Sequence, residues 1–72
     1  MNKKEEVVKK HLNIAHKNLD DLRQKVRWNV EHEIEYDCFE KNMISLLVQM
    51  TELKKEIDTL QYMLFIIEVH DS

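Results

Sequence analysis

The sequence contains no glycine, no proline and only one cysteine among its 72 residues. Glycine-rich phosphate loops, dinucleotide-binding fingerprints and nucleophile elbows all need glycine, so these three motifs are excluded. Tight turns and β-bulges also depend on glycine, which argues against an all-β or α/β domain with several turns. A chain without these helix-breaking residues is expected to be all-α.

Long apolar runs are missing as well. The longest, residues 62–67, is far shorter than the ~20 residues of a membrane span. The charged segment 1–6 is not followed by an apolar stretch, so no signal peptide is expected. The single cysteine, Cys38, cannot form a disulfide within the chain, and we therefore expect a reducing, cytoplasmic localisation.

The four histidines and the acidic segment 31–40 form no recognisable metal or catalytic pattern. Bundles with two metal ions use Glu-x-x-His, which does not occur in the sequence, and His32 and Glu35 have the reverse order. A zinc site would need several Cys or His residues at defined spacing. We expect the acidic segment to be a solvated helix end, and we predict no catalytic residue, no metal site, no cofactor and no enzyme activity.

Two apolar stripes, each with alternating spacings of four and three residues, run through the chain. This spacing is typical of helices that pack side by side with knobs in holes. The first stripe consists of Val8, Leu12, Ala15, Leu19, Leu22 and Val26. The second stripe, which we call the seam and expect to pack in an oligomer, consists of Phe39, Met43, Leu46, Met50, Leu53, Ile57, Leu60, Leu64 and Ile67.

The two stripes do not share a frame, because a straight helix would rotate the second by about 100° from the first. A turn between them resolves the mismatch. The sequence therefore predicts one helical domain over 1–72, with helix 1 at 4–31, a turn at 32–36 and helix 2 at 37–69. A short connection makes such helices antiparallel neighbours, as in a helical hairpin.

Capping motifs support these bounds. Residues 37–40 fit a capping box with Asp37 as N-cap and Glu40 three residues later, and Asn2 and Glu5 fit a second box that begins helix 1. One continuous, bent helix is the alternative. It is favoured by an i+4 ladder across the proposed turn, formed by Val26, Val30, Ile34 and Cys38.

Helix 2 has further apolar residues around its circumference, near its start and near its end. A helix that is apolar on all sides is usually buried on several sides. So small a chain also gains much from self-association, because two helices alone bury little apolar surface. We expect a homo-oligomer, most simply a homodimer in which two hairpins form a four-helix bundle.

The predicted lengths, about 42 Å for helix 1 and about 50 Å for helix 2, leave the end of helix 2 uncovered by helix 1. Exposed apolar patches of this kind usually mark an interaction site. Trp28 lies off the first stripe, where it either covers Phe39 and Met43 or anchors a partner. The candidate partner surface consists of Trp28, Tyr62, Phe65, Ile66 and Val69.

Charge is distributed unevenly along the chain. Residues 1–29 carry eight basic and four acidic side chains, residues 30–40 carry five acidic ones, and the net charge is −3. We interpret the basic helix 1 as a complement of helix 2 that keeps the assembly soluble. Taken together, the sequence features favour a small regulator, inhibitor or adaptor that binds itself and another protein. Two alternatives are a nucleic-acid-binding bundle that uses the basic face of helix 1, and a structural coiled-coil subunit of a larger complex.

Overall fold

The computed structural model describes residues 3–71, with the side chains of 3–70. Two helices account for nearly all of this range, α1 over Lys3–His32 and α2 over Tyr36–Asp71, and there is no strand within it. The molecule is 54 Å long, which is the length of the 36-residue α2 alone at 1.5 Å per residue. Because α1 folds back along α2, the predicted helical hairpin is confirmed, and the alternative of one continuous helix is wrong.

The core of the hairpin lies where the two predicted stripes meet. Ala15 is almost fully buried, and its small side chain lets the backbones approach beside Ile57, which is 6% exposed. The buried cluster consists of Val8, Leu12, Ala15, Leu19 and Ile57. The register of the hairpin is therefore fixed by apolar side chains that repeat at heptad spacing on both helices.

The connection between the helices is three residues long, 33–35. The Phe39 N–H donates to the carbonyl oxygen of Glu35 at 2.9 Å, and this makes Glu35 the N-cap of α2. Asp37 lies inside the first turn. The predicted capping box with Asp37 and Glu40 is therefore wrong, because the chain reverses in fewer residues than expected and α2 begins before Asp37.

The local contacts of Glu35 support this helix start. Its backbone N–H donates to Glu33 Oε1 at 3.4 Å, and its own carboxylate oxygen Oε2 lies 3.5 Å from Cys38 Sγ. At the other end of the hairpin, the predicted cap Asn2 lies outside the described residues. Glu5, its predicted partner, forms an ion pair with Lys9 at 2.9 Å.

One polar residue, Asn29, occupies the next stripe position after Val26 and is only 3% exposed. Asn29 Nδ2 donates to the Phe39 carbonyl oxygen at 3.2 Å, which ties the end of α1 to the first turn of α2. Within residues 3–71, Asn29 Oδ1 is buried without a hydrogen-bond partner. A buried polar group in a heptad seam lowers stability but specifies how the helices align.

As the predicted lengths imply, α1 with 30 residues is shorter than α2 with 36, and α2 extends beyond it. Lys3 and Val7 line the same groove as Met63 and Ile67, so α1 accompanies α2 as far as Ile67. Side chains on a helix lean toward its N-terminus, and α1 therefore covers more of α2 than its backbone length suggests. The apolar residues that stay exposed near the end of α2 do so because of the direction they face.

Within the described range, neither helix is at once long enough and apolar enough to cross a membrane.

Candidate interaction surface

The nine residues of the seam all lie on the side of α2 that faces α1. Ile57 is buried and the other eight are half-buried. Five of these eight pack directly against the buried cluster: Met50, Leu53, Leu60, Leu64 and Ile67. The seam therefore serves the hairpin itself, and its additional use in an oligomer stays a prediction.

A second apolar surface, the outer face of α2, lies on the opposite side of the helix. At 100° per residue its centre is rotated about 150° from the seam, so α1 cannot reach it. Its apolar residues form two clusters, separated by Thr51, Lys55 and Asp58. They are between 39% and 65% exposed and consist of Ile44, Leu47, Val48, Tyr62, Phe65, Ile66 and Val69.

The candidate partner surface is only partly contiguous. Tyr62, Phe65, Ile66 and Val69 lie together as the C-terminal cluster of the outer face. Trp28 lines a groove near the turn with Ser45 and Leu46 of α2. Those positions lie at least about 24 Å along the helix from Tyr62. The structure therefore separates Trp28 from the other four residues and places it on a different part of the molecule.

Trp28 stacks on His32, one helical turn later. Their ring centroids are 4.7 Å apart and the planes differ by 15°, while His32 Nδ1 lies 3.0 Å from the Trp28 carbonyl oxygen. Trp28 still keeps 59% of its surface exposed. Within the hairpin, Trp28 is therefore not a buried cover of Phe39 and Met43, and its ring presents a face to solvent.

The N-terminal cluster of the outer face was not among the candidate site residues. Ile44 and Val48 continue at alternating spacings of three and four through Thr51, Lys55, Asp58 and Tyr62 to Phe65 and Val69. The three polar residues hide this periodicity from a search for apolar heptads alone. The alternation of three- and four-residue spacings, followed without regard to residue type, would have revealed this cluster as part of one helix face.

The charges of α1 are interleaved rather than segregated. Lys9 Nζ lies 2.9 Å from Glu5 Oε1, and Arg23 Nη1 lies 3.3 Å from Asp20 Oδ1. The hydrogen bond from Lys9 to the Glu5 carboxylate raises the pKa of Lys9 above its ordinary value. Ion pairs between residues three or four apart on a helix support helix stability.

The residues that could bind a metal ion are dispersed over the described part of the chain. Within it, no group of three or more His, Cys, Asp or Glu residues is placed to hold a metal ion. Cys38 is an exposed free thiol beside the turn.

Comparisons with family models, with curated proteins and with solved structures give no match to this chain. The class of the protein is therefore defined by its fold, an all-α two-helix hairpin.

Proposed function

We propose that this protein is a small self-associating helical hairpin that acts in the cytoplasm through protein–protein interaction, as a regulator, inhibitor or adaptor. The observation that supports this is the outer face of α2, where seven large apolar side chains are exposed on one side of one helix. Contiguous apolar patches on a small protein usually mark an interaction site.

The size of the core supports the same proposal. Six apolar residues of the described chain are buried, and a single core in so small a protein rarely supplies more than about 5 kcal/mol of stability. Apolar area removed from water on association contributes about 25 cal/mol per Å². Covering the outer face would thus couple the stability of the hairpin to its assembly.

Trp28 is the best candidate for contact with a second protein. Its ring is exposed, stacked on His32 and adjacent to a groove that includes Asn42 and Ser45. Rigid aromatic side chains next to a groove are common anchors of protein interfaces. Because the groove at Trp28 is lined by none of the residues of the outer face, a partner at Trp28 and self-association through α2 are compatible.

The double variant Phe65→Glu, Ile66→Glu tests the proposal. Two carboxylates in an apolar interface are costly to bury, so we expect the variant to lose self-association. The mass is measured by sedimentation equilibrium and the helicity by far-UV circular dichroism. Ile14→Glu, which introduces the same side chain at a half-exposed position on α1, is the control and should keep the oligomer.

Two outcomes would contradict parts of this proposal. A wild-type protein that is fully helical and monomeric at micromolar concentration would rule out self-association. A double variant that keeps its oligomeric mass but no longer binds a protein partner would assign the patch to that partner. Trp28→Ala should leave the mass unchanged and weaken only the binding of another protein.

A further inference from the structure

The outer face of α2 is symmetric about its own midpoint. On this face, residues at equal distances before and after the point between Glu56 and Ile57 form pairs of similar or complementary character. Three pairs are apolar, namely Ile44 and Val69, Leu47 and Ile66, and Val48 and Phe65. A fourth pair, Lys55 and Asp58, has opposite charges, and the fifth joins the hydroxyl residue Thr51 to the aromatic residue Tyr62.

We propose that a second copy of this chain packs antiparallel on the outer face of α2, with a two-fold axis that passes between the two α2 helices at the level of Glu56 and Ile57. The proposal rests on the self-association proposed above and adds the face, the direction and the register. In this arrangement Lys55 faces Asp58 of the partner subunit, and Asp58 faces Lys55 of the partner subunit. Each apolar cluster then covers the other cluster of the second copy.

The geometry of a helix supports such an interface. At 100° per residue, the ten positions fall within an arc of about 100°, which is the width of a stripe that packs on one neighbouring helix. From Ile44 to Val69 the stripe is about 38 Å long. The stripe is centred on the level of the two-fold axis, so an antiparallel copy presents the same stripe in return, as an isologous interface requires.

The central charges select the antiparallel direction. A parallel pair in register would bring Lys55 against the same lysine and Asp58 against the same aspartate, which is unfavourable in both cases. Among the described residues, neither of these side chains forms an ion pair within the hairpin. Both are therefore available to pair across the axis.

The order of apolar and charged residues also fixes the register. A shift of the second copy by seven residues would place Lys55 against Phe65, and Asp58 against Tyr62, of the partner subunit. Charges without a counter-ion would then be removed from water, which is costly. No rearrangement of the hairpin is needed in the proposed register, because the seam stays packed against α1 while the outer face accepts the second copy.

Charge reversal tests the pairing. Lys55→Asp alone and Asp58→Lys alone each replace two attractive contacts with two repulsive ones, and we expect each to raise the dimer dissociation constant by about tenfold at low salt. An equimolar mixture of the two variants, and the double variant Lys55→Asp, Asp58→Lys, should both associate as the wild type does. Lys17→Asp on the exposed face of α1 makes the same change in charge and should have no effect.

Disulfide trapping tests direction and register independently. In a Cys38→Ser background, Thr51→Cys and Tyr62→Cys should cross-link only when the two variants are mixed. Two copies of either variant alone would hold their thiols about 16 Å apart along the helices, beyond the reach of a disulfide. A parallel dimer would instead cross-link each variant with itself.

The outcomes separate this inference from the proposed function. A monomeric wild type would contradict self-association altogether. A dimeric wild type whose association is unchanged by either charge reversal, or whose mixed cysteine variants fail to cross-link, would overturn the assigned face and register and leave self-association standing. Restored association in the mixture of charge variants, together with cross-linking of the mixed cysteine variants alone, is the result that supports the inference.

Discussion

The two helices are built for different surroundings, although they share one interface. α1 buries five apolar residues along a single stripe, and most of its remaining surface is charged or polar. On α2 only Ile57 is buried, while the other seam residues stay half-exposed and a second apolar face lies behind them. The hairpin therefore buries the apolar stripe of α1 but leaves much apolar surface of α2 exposed. We expect this protein to interact through α2.

Ala15 is the one small residue of the apolar stripe of α1, and at 2% exposure it is the most buried of them. Met50 and Leu53 of α2 pack against the cluster that contains Ala15 and stay half-buried. Long side chains of this kind cover a smaller neighbour while their own flanks remain in contact with water.

The largest expected effect comes from a charge in the shared interface. Ile57→Asp would bury a carboxylate without a partner, and we expect the free energy of unfolding to fall by about 3 kcal/mol or more. Ile14→Asp makes the same substitution at a half-exposed position of α1 and should cost less than about 1 kcal/mol. Urea titration followed by far-UV circular dichroism measures both. Equal losses would mean that the interface is not the one described.

A smaller effect, of opposite sign, is expected at Asn29. Asn29→Leu removes a buried amide oxygen that has no partner within residues 3–71 and continues the apolar stripe of α1. We expect thermal unfolding to show that the free energy of unfolding rises by about 1 kcal/mol. Burial of the leucine side chain contributes more than the lost hydrogen bond to the Phe39 carbonyl oxygen did. Asn13→Leu on the exposed side of α1 is the control for helix propensity. A loss of stability in Asn29→Leu would contradict the unpaired state of Asn29 Oδ1.

The smallest effects concern the start of α2. Asp is preferred over Glu at an N-cap, so Glu35→Asp should stabilise the hairpin by about 0.5 kcal/mol. Asp37→Ala should change stability by only a few tenths of a kcal/mol, since it exchanges a favourable dipole interaction for better helix propensity. Thermal melts at low salt measure the change in stability of both variants. A loss of about 1 kcal/mol in Asp37→Ala would instead place the N-cap at Asp37.

Heptad spacing was sufficient to predict the hairpin. The apolar residues from Val8 to Val26 and the seam lie on the faces that meet, because burial of a stripe depends on periodicity that the sequence displays directly. Bounds within two residues of the observed helix ends followed from the same pattern. Which carbonyl accepts the first hydrogen bond of α2 depends on the path of the turn, and for this reason Glu35 was missed.

The candidate site was less predictable, for a different physical reason. Exposure near the end of α2 was expected from helix lengths, but the side chains of α1 lean past its backbone and cover the seam as far as Ile67. Tyr62 and Phe65 are exposed because they lie outside the seam and face away from α1, as their spacing in the sequence predicts. Asn29 was overlooked because a polar residue in a stripe position interrupts an apolar search.

The three-residue connection has a consequence for how the chain folds. Closing so short a loop costs little entropy, so the first contacts to form are those beside residues 33–35. The cluster of buried apolar residues, from Val8 to Leu19 together with Ile57, lies in the half of the hairpin away from that loop. The contacts that form most easily are thus not the ones that bury most apolar surface. A hairpin closed only at its turn is therefore stabilised very little. Such a chain is expected to fold in one cooperative step, without a stable half-zipped intermediate.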